Sequence, residues 1–574
     1  MQLHVRQAQI NTPLSSDLNP LLDKVLRQRG ITHASATEWQ LKNLLHYRDL
    51  AGIEQACDVL FEAMHAKQRI MVIGDFDADG ATSTALCIHS FRMFEYSNVD
   101  YLVPNRFDFG YGLSPQIVDV AHQQGAQVIV TVDNGIACFA GVDRARDLGI
   151  KVVITDHHLP AERLPAAHAI VNPNQANCKF ASKQLAGVGV AFYLMLALKA
   201  RLQAQDWFSQ HSLPPPNLAS LLDIVAVGTV ADVVGLDENN RVLVHQGLQR
   251  IRSGKAKPGI LALFDVAGRS HARVSSSDLG FVIGPRLNAA GRLDDISLGI
   301  ECLLASEPYQ ARKIAVQLDA LNKERRDIEA SMQADALAQL PQMLGQVDAQ
   351  KAGIVVFRED FHQGVIGILA GRLKEQFHRP CIVFALDTET TLKGSARSLP
   401  GIHMRDLLER INTLHPGLIN KFGGHAMAAG LSIERAHLTQ FIEIFETQSA
   451  ALMASLPSEQ ELLSDGQLQA AQITLDNAFA VKYTVPWGQQ FEEPIFDGIF
   501  TLRSQRIVGE KHLKLVISDE HQEYDAIAFN GDPKEWPNPT AKQLHIAYRL
   551  DVNEFRGNTN VQLLVAHIVA INPS

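Results

Sequence analysis

Three aspartates at alternate positions follow a short apolar run near residue 70. Residues 69–73 predict a buried strand, and Asp75, Asp77 and Asp79 come directly after it, followed by Gly80. Carboxylates this close repel one another, so a folded chain holds them ionised together only with the help of a cation. The stretch therefore predicts a metal site whose other ligands lie elsewhere in the sequence.

Two other structures use a similar pattern of residues. The sequence D-x-D-x-D-G opens a calcium-binding EF-hand, but that loop needs a Glu six residues after its Gly, where this chain has Leu86. A strand before the acids also does not suit a helix–loop–helix. A solvated acidic turn is the second alternative, and it does not explain why a buried strand leads directly into the acids. The metal site is the favoured interpretation.

Length and composition indicate a multidomain globular protein. The chain has 574 residues, of which 46% are hydrophobic and 20% charged. No apolar run approaches a membrane span, and residues 1–17 lack the apolar core of a signal peptide. The six cysteines form no C-x-x-C pair, which fits a reducing cytoplasm. The net charge of −10 alone would count against nucleic-acid binding, although a whole-chain sum hides local patches.

Short apolar runs alternate with helical stretches from residue 69 to about 235. The runs 69–73, 99–103, 127–132 and 151–155, with a weaker one at 169–171, predict a βαβ arrangement and a mostly parallel sheet. Ligands of such sheets bind beyond the carboxyl ends of the strands. The third run ends in Asp133, and the fourth ends in Asp156, His157 and His158. Asp232 follows a further apolar run and counts as a fourth such end.

Oxygen-rich ligands with one or two imidazoles suit Mg²⁺ or Mn²⁺ better than Zn²⁺. Six carboxylates and two imidazoles are too many for one ion. Two ions roughly 3.5–4 Å apart that share an Asp would use them, which is the usual arrangement for phosphodiester hydrolysis. Asp156 could instead orient an imidazole without binding metal.

The set DFDADG, VDNG, DHH and GTVADVV closely resembles the DHH phosphoesterase superfamily, and within it the single-strand-specific 5′→3′ DNA exonucleases. The likeness runs from about residue 40 to the C-terminus. The resemblance implies that Asp75, Asp77 and Asp133 hold one metal and that Asp79, Asp133, His157 and Asp232 hold the other. It also implies that His158 faces the scissile phosphate, with Asp156 behind it. More distant family members begin the first motif with His, where this chain has Asp75.

Substrate contacts are expected in two further segments of the first half of the chain. In similar proteins the loop at residues 104–114 approaches the 5′ end of the strand, so that Arg106 could hold a terminal phosphate and Tyr111 could pack on a base. Residues 275–292 contain Arg286, Asn288 and Arg292, and planar guanidinium groups suit phosphate. The resemblance places this segment over the active site.

A long helix over residues 306–340 is predicted to connect two lobes, with the charged run 322–327 solvated. A second α/β domain follows, in which three Gly-rich stretches could bind phosphate through backbone N–H groups. Together these stretches resemble the DHHA1 substrate-binding domain. Residues 351–430 hold ten Lys and Arg against seven Asp and Glu, a local excess of +3 that suits a strand-binding lobe. The candidate contacts in these stretches are His362, Arg372, Ser395, Arg397, Gly423, Gly424 and His425.

The last 120 residues predict five antiparallel strands, which fits an OB-fold. The predicted fold class is thus α/β: a parallel-sheet DHH domain, a long connecting helix, a second α/β (DHHA1) domain and a C-terminal antiparallel β OB-fold domain. The expected boundaries are 1–45 for an N-terminal helical extension, 46–304 for the DHH catalytic domain, 305–345 for the connecting helix, 346–454 for the DHHA1 domain and 455–574 for the OB-fold domain.

The function that the resemblance implies is a cytoplasmic, metal-dependent exonuclease that degrades single-stranded DNA from its 5′ end to 5′-mononucleotides, with two Mn²⁺ or Mg²⁺ ions. Its role would be DNA repair and recombination, with single-strand binding protein and a helicase as partners and no membrane attachment. One alternative is a DHH enzyme that acts on short oligonucleotides or cyclic dinucleotides, which would not need an OB-fold domain. Another is a catalytically inactive strand-binding relative, which should have lost metal ligands that this chain retains.

Overall fold

The computed structural model describes residues 2–104, 112–343, 351–424, 426–454, 461–509, 512–529, 536–555 and 557–571. The chain divides into two compact units. The first comprises Met1–Gly291, Asp295–Asp319 and Glu461–Ser574, and the second comprises Arg292–Asp294 and Ala320–Gln460. Among the described residues, none of the helices combines the length and the apolar character that crossing a membrane requires.

The first unit is built around a five-stranded parallel sheet. Its strands, in spatial order, are Val99–Leu102, Ile70–Ile73, Val128–Val132, Lys151–Thr155 and Ala169–Val171. The first strand along the chain therefore lies between the second and the third, so the strand order reverses beside it. In open parallel sheets this reversal opens a crevice at the carboxyl ends of the strands, where ligands bind.

Helices cover both faces of this sheet and bury its apolar side chains. One face packs against the helices Pro115–Gln123 and Phe139–Asp147, with Met71, Ile129 and Ile154 in a shared core. The helix Ala78–Met93 follows the first strand and packs against two other buried helices, Gly187–Ala204 and Leu222–Ala231. Further helices of this unit are Pro20–Gln28, Ile53–His65, Trp207–Gln210, Glu238–Arg252, Pro258–Val266, Ser276–Asp278, Gly284–Leu293 and Ser297–Leu304. The residues Leu279–Ile283 form a π-helical turn, and the last residues of the helix Gly284–Leu293 belong to the second unit.

The C-terminal part of the first unit is a closed five-stranded barrel. Its strands are Phe496–Val508, His512–Ser518, Glu523–Ala528, Asn558–Ile571 and Gln543–Phe555 in spatial order, and the helix Leu475–Thr484 precedes them. Four of the five pairings in this barrel are antiparallel. Inward-facing residues such as Leu513, Leu515 and Leu550 are fully buried, as the alternation of the strands predicts.

The second unit has its own five-stranded sheet. In spatial order the strands are Lys421–Gly424, Ala428–Glu434, Thr391–Arg397, Cys381–Leu386 and Ile354–Phe357, of which only the last two pair in parallel. The helices Ile366–Phe377, Met404–Leu414 and Leu438–Met453 pack on it. The long helix Pro308–Met343 begins in the first unit and continues into the second. The predicted fold class is confirmed.

Three local predictions are wrong. The N-terminal segment is not purely helical, because the strand Gln2–Val5 pairs in parallel with Glu461–Ser464. The end of the helical extension predicted for residues 1–45 holds only the short 3₁₀ turn Leu41–Asn43, and another such turn follows at Tyr47–Asp49. The run 322–327 is not fully solvated, since Asn322 and Arg325 are buried and Arg325 forms an ion pair with Glu329 at 3.0 Å.

Candidate metal centre

The first motif is a sharp turn between a buried strand and a buried helix. Asp77 caps the helix Ala78–Met93, and its Oδ1 accepts hydrogen bonds from the N–H groups of Asp79 at 2.9 Å and Gly80 at 3.0 Å. Gly80 packs against the backbone of Asp75 so closely that a Cβ would overlap it. Asp75 and Asp79 are buried. The turn thus holds three carboxylates within one short segment.

Asp79 is held by the start of another helix. Its two carboxylate oxygens accept hydrogen bonds from the backbone N–H groups of Gly187 at 2.6 Å and Val188 at 2.9 Å. These donors open the helix Gly187–Ala204, whose N-terminal dipole favours a negative charge. The sequence interpretation missed Gly187, because neither it nor Gly189 differs in pattern from the apolar run around them.

Asp133 follows the strand Val128–Val132 in the left-handed backbone region, with φ of 61°. This conformation is uncommon for a residue with a side chain and is typical of functional turns. An ideal Cβ on Gly187 would lie 2.6 Å from the Asp133 Cβ, so only a glycine lets that helix approach. Asn134, beside it, donates from Nδ2 to the backbone oxygens of Ile73 and Val132 and ties the two central strands together.

The DHH motif follows the strand Lys151–Thr155. Asp156 Oδ1 accepts hydrogen bonds from the His157 and His158 N–H groups at 2.7 and 3.0 Å, and it lies 2.7 Å from His158 Nδ1. Asp156 Oδ2 accepts from the Ile136 N–H at 2.9 Å. Both oxygens of the Asp156 carboxylate therefore form hydrogen bonds within the protein, which supports the predicted orienting role of Asp156.

Two asparagines that the sequence interpretation missed also fix the histidines. Asn172 Nδ2 donates to the His158 backbone oxygen at 2.9 Å, and Asn174 Nδ2 donates to that of His157 at 2.6 Å. They follow the strand Ala169–Val171. The rule used for the other strands, that polar residues after a strand converge at one edge, would have found them.

Asp232 reaches the site from a helix rather than a strand. The residues 222–231 form the helix Leu222–Ala231, and Asp232 is its C-terminal cap. The interpretation of this run as a further strand end is wrong. Periodicity cannot separate a short buried helix from a buried strand when the run is apolar except for Asp223 and Thr229. The helix still delivers Asp232 to the same edge, with Oδ2 at 3.5 Å from His157 Nε2.

The structure brings seven predicted residues together in three overlapping sets whose ligand atoms lie within 4.8 Å of one another. One set is Asp75, Asp77 and Asp133, the second is Asp79, His157 and Asp232, and the third is Asp133, His157 and His158. His157 Nε2 lies 3.1 Å from Asp133 Oδ1. Within the described part of the chain, Asp133 Oδ1 and Asp232 Oδ2 are buried and lack a hydrogen-bond donor. Buried acceptors without donors, facing an imidazole nitrogen, fit a divalent cation.

Burial and mutual repulsion raise the pKa values of these carboxyl groups. Burial, followed by the charge of Asp77, raises the pKa of Asp75 well above its ordinary range and that of Asp79 to about 7. The pKa values of Asp133 and Asp232 are raised by burial and then by the charge of Asp79. Burial alone would raise the pKa of Asp156, but hydrogen bonds and the charge of His158 lower it. The cluster thus needs positive charge to stay ionised at neutral pH.

The remaining predicted contacts of the first unit have protein partners. Arg286 is buried, and its guanidinium donates to Asp319 Oδ1 at 2.7 and 3.0 Å and to the Val282 backbone oxygen. Arg286 thus forms an intramolecular ion pair, and its contact with a phosphate stays a prediction. Asn288 Oδ1 accepts the Ala78 N–H at 2.7 Å, so Asn288 positions the first motif. Arg106 and Tyr111 lie outside the described residues.

Within the second unit, Arg397 and Ser395 form the group of predicted contacts that best fits an anion-binding site. Arg397 Nη1 donates to Ser395 Oγ at 3.1 Å, and both side chains lie against Gly367 at the start of the helix Ile366–Phe377. Burial lowers the pKa of the Arg397 guanidinium, and among the described residues no carboxylate lies within 4.0 Å of it. A half-buried cation beside a hydroxyl and a helix N-terminus suits an anion.

The other predicted contacts of this unit are placed as follows. Arg372 is paired with Glu329 at 3.1 Å and Glu375 at 3.4 Å, and its contact with a phosphate stays a prediction. Arg292 donates to the Gly364 backbone oxygen at 3.1 Å, and His362 Nδ1 accepts the Gly364 N–H at 3.1 Å. Gly423 and Gly424 lie in the edge strand Lys421–Gly424, and His425 lies outside the described residues.

Three family models match the chain in the order in which these structures occur. The DHH family N-terminal domain matches residues 69–229, the DHHA1 domain matches 350–450 and the RecJ OB domain matches 464–567. The parallel sheet with its carboxylate cluster, the second α/β unit and the barrel are therefore those of a DHH-family protein with DHHA1 and OB domains.

Curated relatives define the family more closely. The chain is 51% identical over 570 residues to the single-stranded-DNA-specific exonuclease RecJ of Escherichia coli K12, covering 99% of both chains. It is 48% identical to the RecJ of Haemophilus influenzae over 100% of both. The chain belongs to the RecJ family.

Solved structures agree with this assignment. RecJ of Thermus thermophilus in complex with Mn²⁺ superposes with a TM-score of 0.78 at 27% identity, over 97% of this chain and 77% of that one. The structure of the same protein with Mg²⁺ gives 0.73 at 25% identity, over 97% and 76%. Mn²⁺ and Mg²⁺ are both among the metals that the oxygen-rich ligand set predicts.

Proposed function

We propose that this protein is a metal-dependent exonuclease specific for single-stranded DNA. The observation that carries the proposal is the convergence of six ligands at one sheet edge: Asp75, Asp77, Asp79, Asp133, His157 and Asp232. The buried oxygens Asp133 Oδ1 and Asp232 Oδ2 have no hydrogen-bond donor among the described residues. The identity of about half of all residues with curated single-stranded-DNA-specific exonucleases, over the full length, supports the substrate class.

The ligand sets divide naturally between two divalent ions, Mn²⁺ or Mg²⁺. Asp75, Asp77 and Asp133 would hold one, and Asp79, His157 and Asp232 the other, with Asp133 shared because its Oδ1 lies 3.1 Å from His157 Nε2. Bound there, the ions would lower the pKa of water and offset the charge that develops on the phosphate. Asp79 would stay oriented throughout, because two backbone N–H groups hold its carboxylate.

His158 would contact the scissile phosphate. Its Nδ1 lies 2.7 Å from Asp156 Oδ1, so the carboxylate fixes the ring and we assign Nε2 to a phosphate oxygen. The two histidine rings lie with centroids 4.5 Å apart, so a group at His158 Nε2 would also be close to the ions beside His157. Asp156 would act through the two histidines, because its Oδ1 also accepts the His157 N–H.

The second unit would bind the strand. Arg397 with Ser395 has the best structural support as a phosphate contact, and we propose that it holds the 5′ end. The remaining predicted contacts stay proposals: Arg106, Tyr111, Arg286, Asn288, Arg292, His362, Arg372, Gly423, Gly424 and His425. We also retain the boundaries 46–304 for the catalytic domain, 346–454 for the strand-binding domain and 455–574 for the OB-fold domain.

The direction of degradation would be 5′→3′, with release of 5′-mononucleotides. A role in DNA repair and recombination would make single-strand binding protein and a helicase the expected partners, because each supplies or occupies the same unpaired strand. A chromosomal DNA substrate would place the protein in the cytoplasm of bacteria such as those of its relatives.

The test is cleavage of an oligonucleotide labelled at its 3′ end, offered as a single strand and as a blunt duplex with Mn²⁺ or Mg²⁺. We expect fragments that shorten from the 5′ side, on the single strand only and abolished by EDTA. Turnover of a dinucleotide without cleavage of the long strand would instead indicate the small-substrate enzymes of the superfamily. Binding without any cleavage would indicate an inactive strand-binding protein.

A further inference from the structure

A strained turn links the metal ligand Asp232 to the chain that follows it. After the helix Leu222–Ala231, Val233 adopts the left-handed backbone region with φ of 62°, and its side chain is 63% exposed. A β-branched residue in this region is unfavourable and persists only when the surrounding structure enforces it. On the helix side, the Asp232 and Val233 N–H groups donate to the backbone oxygens of Gly228 and Val230.

On the other side the turn is fixed at Leu236. The Leu236 N–H donates to the Gln489 backbone oxygen at 2.8 Å, and the Leu236 oxygen accepts from Arg241 Nη1 at 2.8 Å. Leu236 is 2% exposed. Gly235 lies against Gln490, whose Oε1 would be 2.5 Å from a Cβ at that position. Both backbone groups of Leu236 are therefore bound by residues outside the turn.

The residues that hold Leu236 form a compact group, here called the brace, which consists of residues 487–491 and Arg241. The Gly488 and Phe491 backbones exchange hydrogen bonds at 3.0 and 3.1 Å, and the rings of Trp487 and Phe491 stack at 5.3 Å. The Arg241 guanidinium lies 4.2 Å from the centre of the Phe491 ring. The brace segment 487–491 precedes the first barrel strand, Phe496–Val508, within the RecJ OB match.

Arg241 is an unusual component for a purely structural contact. It is 6% exposed, and within the described residues no carboxylate lies within 4.0 Å of its guanidinium. Burial disfavours the charge of the guanidinium, and the nearby charges of Glu238 and Asp237 offset part of that cost. The close contacts of the group are the Leu236 carbonyl and the Phe491 ring. The arrangement fixes the position of the Leu236 oxygen, and through it the turn that carries Asp232.

We propose that Arg241 and the residues 487–491 position Asp232 for metal binding, so that the segment leading into the barrel is part of the metal centre's support. The inference rests on the proposed function, since it assumes that Asp232 binds an ion. Arg241 is a positioning residue here, because it contacts the turn and the Phe491 ring and is not one of the proposed ligands. Partners that orient metal ligands typically contribute about 10-fold to 100-fold in affinity, and this one acts from further away.

The experiment is a Mn²⁺ titration of the full chain without DNA, followed by the electron paramagnetic resonance signal of free Mn²⁺. Arg241→Met keeps the side-chain length and removes the donor and the charge. We expect the wild-type protein to bind two ions. In the variant, one ion should bind about 10-fold more weakly and the other should bind as before. At subsaturating Mn²⁺ kcat should fall, while KM for single-stranded DNA changes less than twofold.

Arg250→Met is the matched control. Arg250 lies on the same helix, Glu238–Arg252, and donates to the Lys255 backbone oxygen at 2.9 Å, away from the turn. It should leave both Mn²⁺ affinities unchanged. Phe491→Leu removes the ring and keeps the arginine, so it tests the same support if Arg241→Met does not fold. We expect it to weaken the binding of the same ion.

The outcomes separate the inference from the function on which it rests. The positioning role would be overturned if folded Arg241→Met and Phe491→Leu bound Mn²⁺ as the wild-type protein does, or if both ions lost affinity equally. Either result would leave the proposed function standing. Equal weakening by Arg250→Met would do the same, since it would reveal a general effect on the fold. No Mn²⁺ binding by the unchanged chain would overturn both.

Discussion

Gly187→Ala perturbs two proposed metal ligands with a single methyl group. The Gly187 N–H donates to Asp79 Oδ2 at 2.6 Å, and an ideal Cβ on this residue would lie 2.6 Å from the Asp133 Cβ and 2.9 Å from Asp133 Oδ1. Gly187 is the first residue of the helix Gly187–Ala204 and contacts no substrate group in our proposal. Its substitution therefore tests the geometry of the site without removing a ligand.

The expected magnitude follows from the overlap. Ordinary carbon contacts begin at 3.4 Å and extend to 4 Å, so Asp133 or the helix must move by 3.4 − 2.6 = 0.8 Å to 4.0 − 2.6 = 1.4 Å. A misplacement of about 1 Å at a catalytic group costs on the order of 100-fold in rate, or about 2.7 kcal/mol. Overpacking of this kind also costs about 1–3 kcal/mol of stability.

The assay is single-turnover cleavage of a single-stranded oligonucleotide at saturating Mn²⁺, with strand binding measured in EDTA. We expect the cleavage rate of Gly187→Ala to fall about 100-fold and its strand binding to stay within about twofold. Gly299→Ala is the control: it also lies in a helix of the first unit, Ser297–Leu304, and its Cβ would first meet the flexible end of Leu287 at 3.3 Å. A folded Gly187→Ala protein that cleaves within threefold of the unchanged chain would refute the reasoning.

Three further predictions address the ligands, the strand-binding unit and the metal. Asp133→Ala should abolish cleavage and leave strand binding within about threefold, whereas equal loss of both would contradict a shared ligand. Arg397→Ala should weaken binding of a 5′-phosphorylated strand by about 1.5–3 kcal/mol more than that of a 5′-hydroxyl strand. Arg358→Ala, which removes a surface ion pair with Asp360, is its control, and equal losses on the two strands would place Arg397 away from the 5′ end. Mn²⁺ at 100 times its Kd should stabilise the fold by about 2.7 kcal/mol per site, measured by thermal unfolding and reversed by EDTA.

The central part of the site could be predicted from the sequence because parallel strands place their carboxyl ends at one edge. The acids after three separate strands, together with the histidines after Asp156, met there as expected. The pattern of apolar residues specifies this outcome locally, since each strand carries its polar ending with it. Asp232 was found for a partly wrong reason, because a mainly apolar run of ten residues does not distinguish strand from helix.

Features that depend on partners distant in sequence were not predictable. The guanidinium of Arg286 suits phosphate by its chemistry. Its ion-pair partner Asp319 lies 33 residues away, and no sequence pattern indicates that the two residues pair. Arg325 lies in a charged run that suggests solvent, yet Glu329 and Arg372 complete an ion-pair network around it. The strand Gln2–Val5 pairs with residues more than 450 positions away, and a four-residue segment carries too little pattern to reveal that pairing.

The most direct measurement is anomalous diffraction at the manganese absorption edge from crystals of this protein soaked in Mn²⁺. Our account predicts two peaks at the carboxyl edge of the parallel sheet, one bound by Asp75, Asp77 and Asp133 and the other by Asp79, Asp133, His157 and Asp232. Asp133 should contact both ions. A single peak, or two peaks without a shared Asp133, would contradict the two-ion centre, and peaks elsewhere with none at this edge would contradict the site itself.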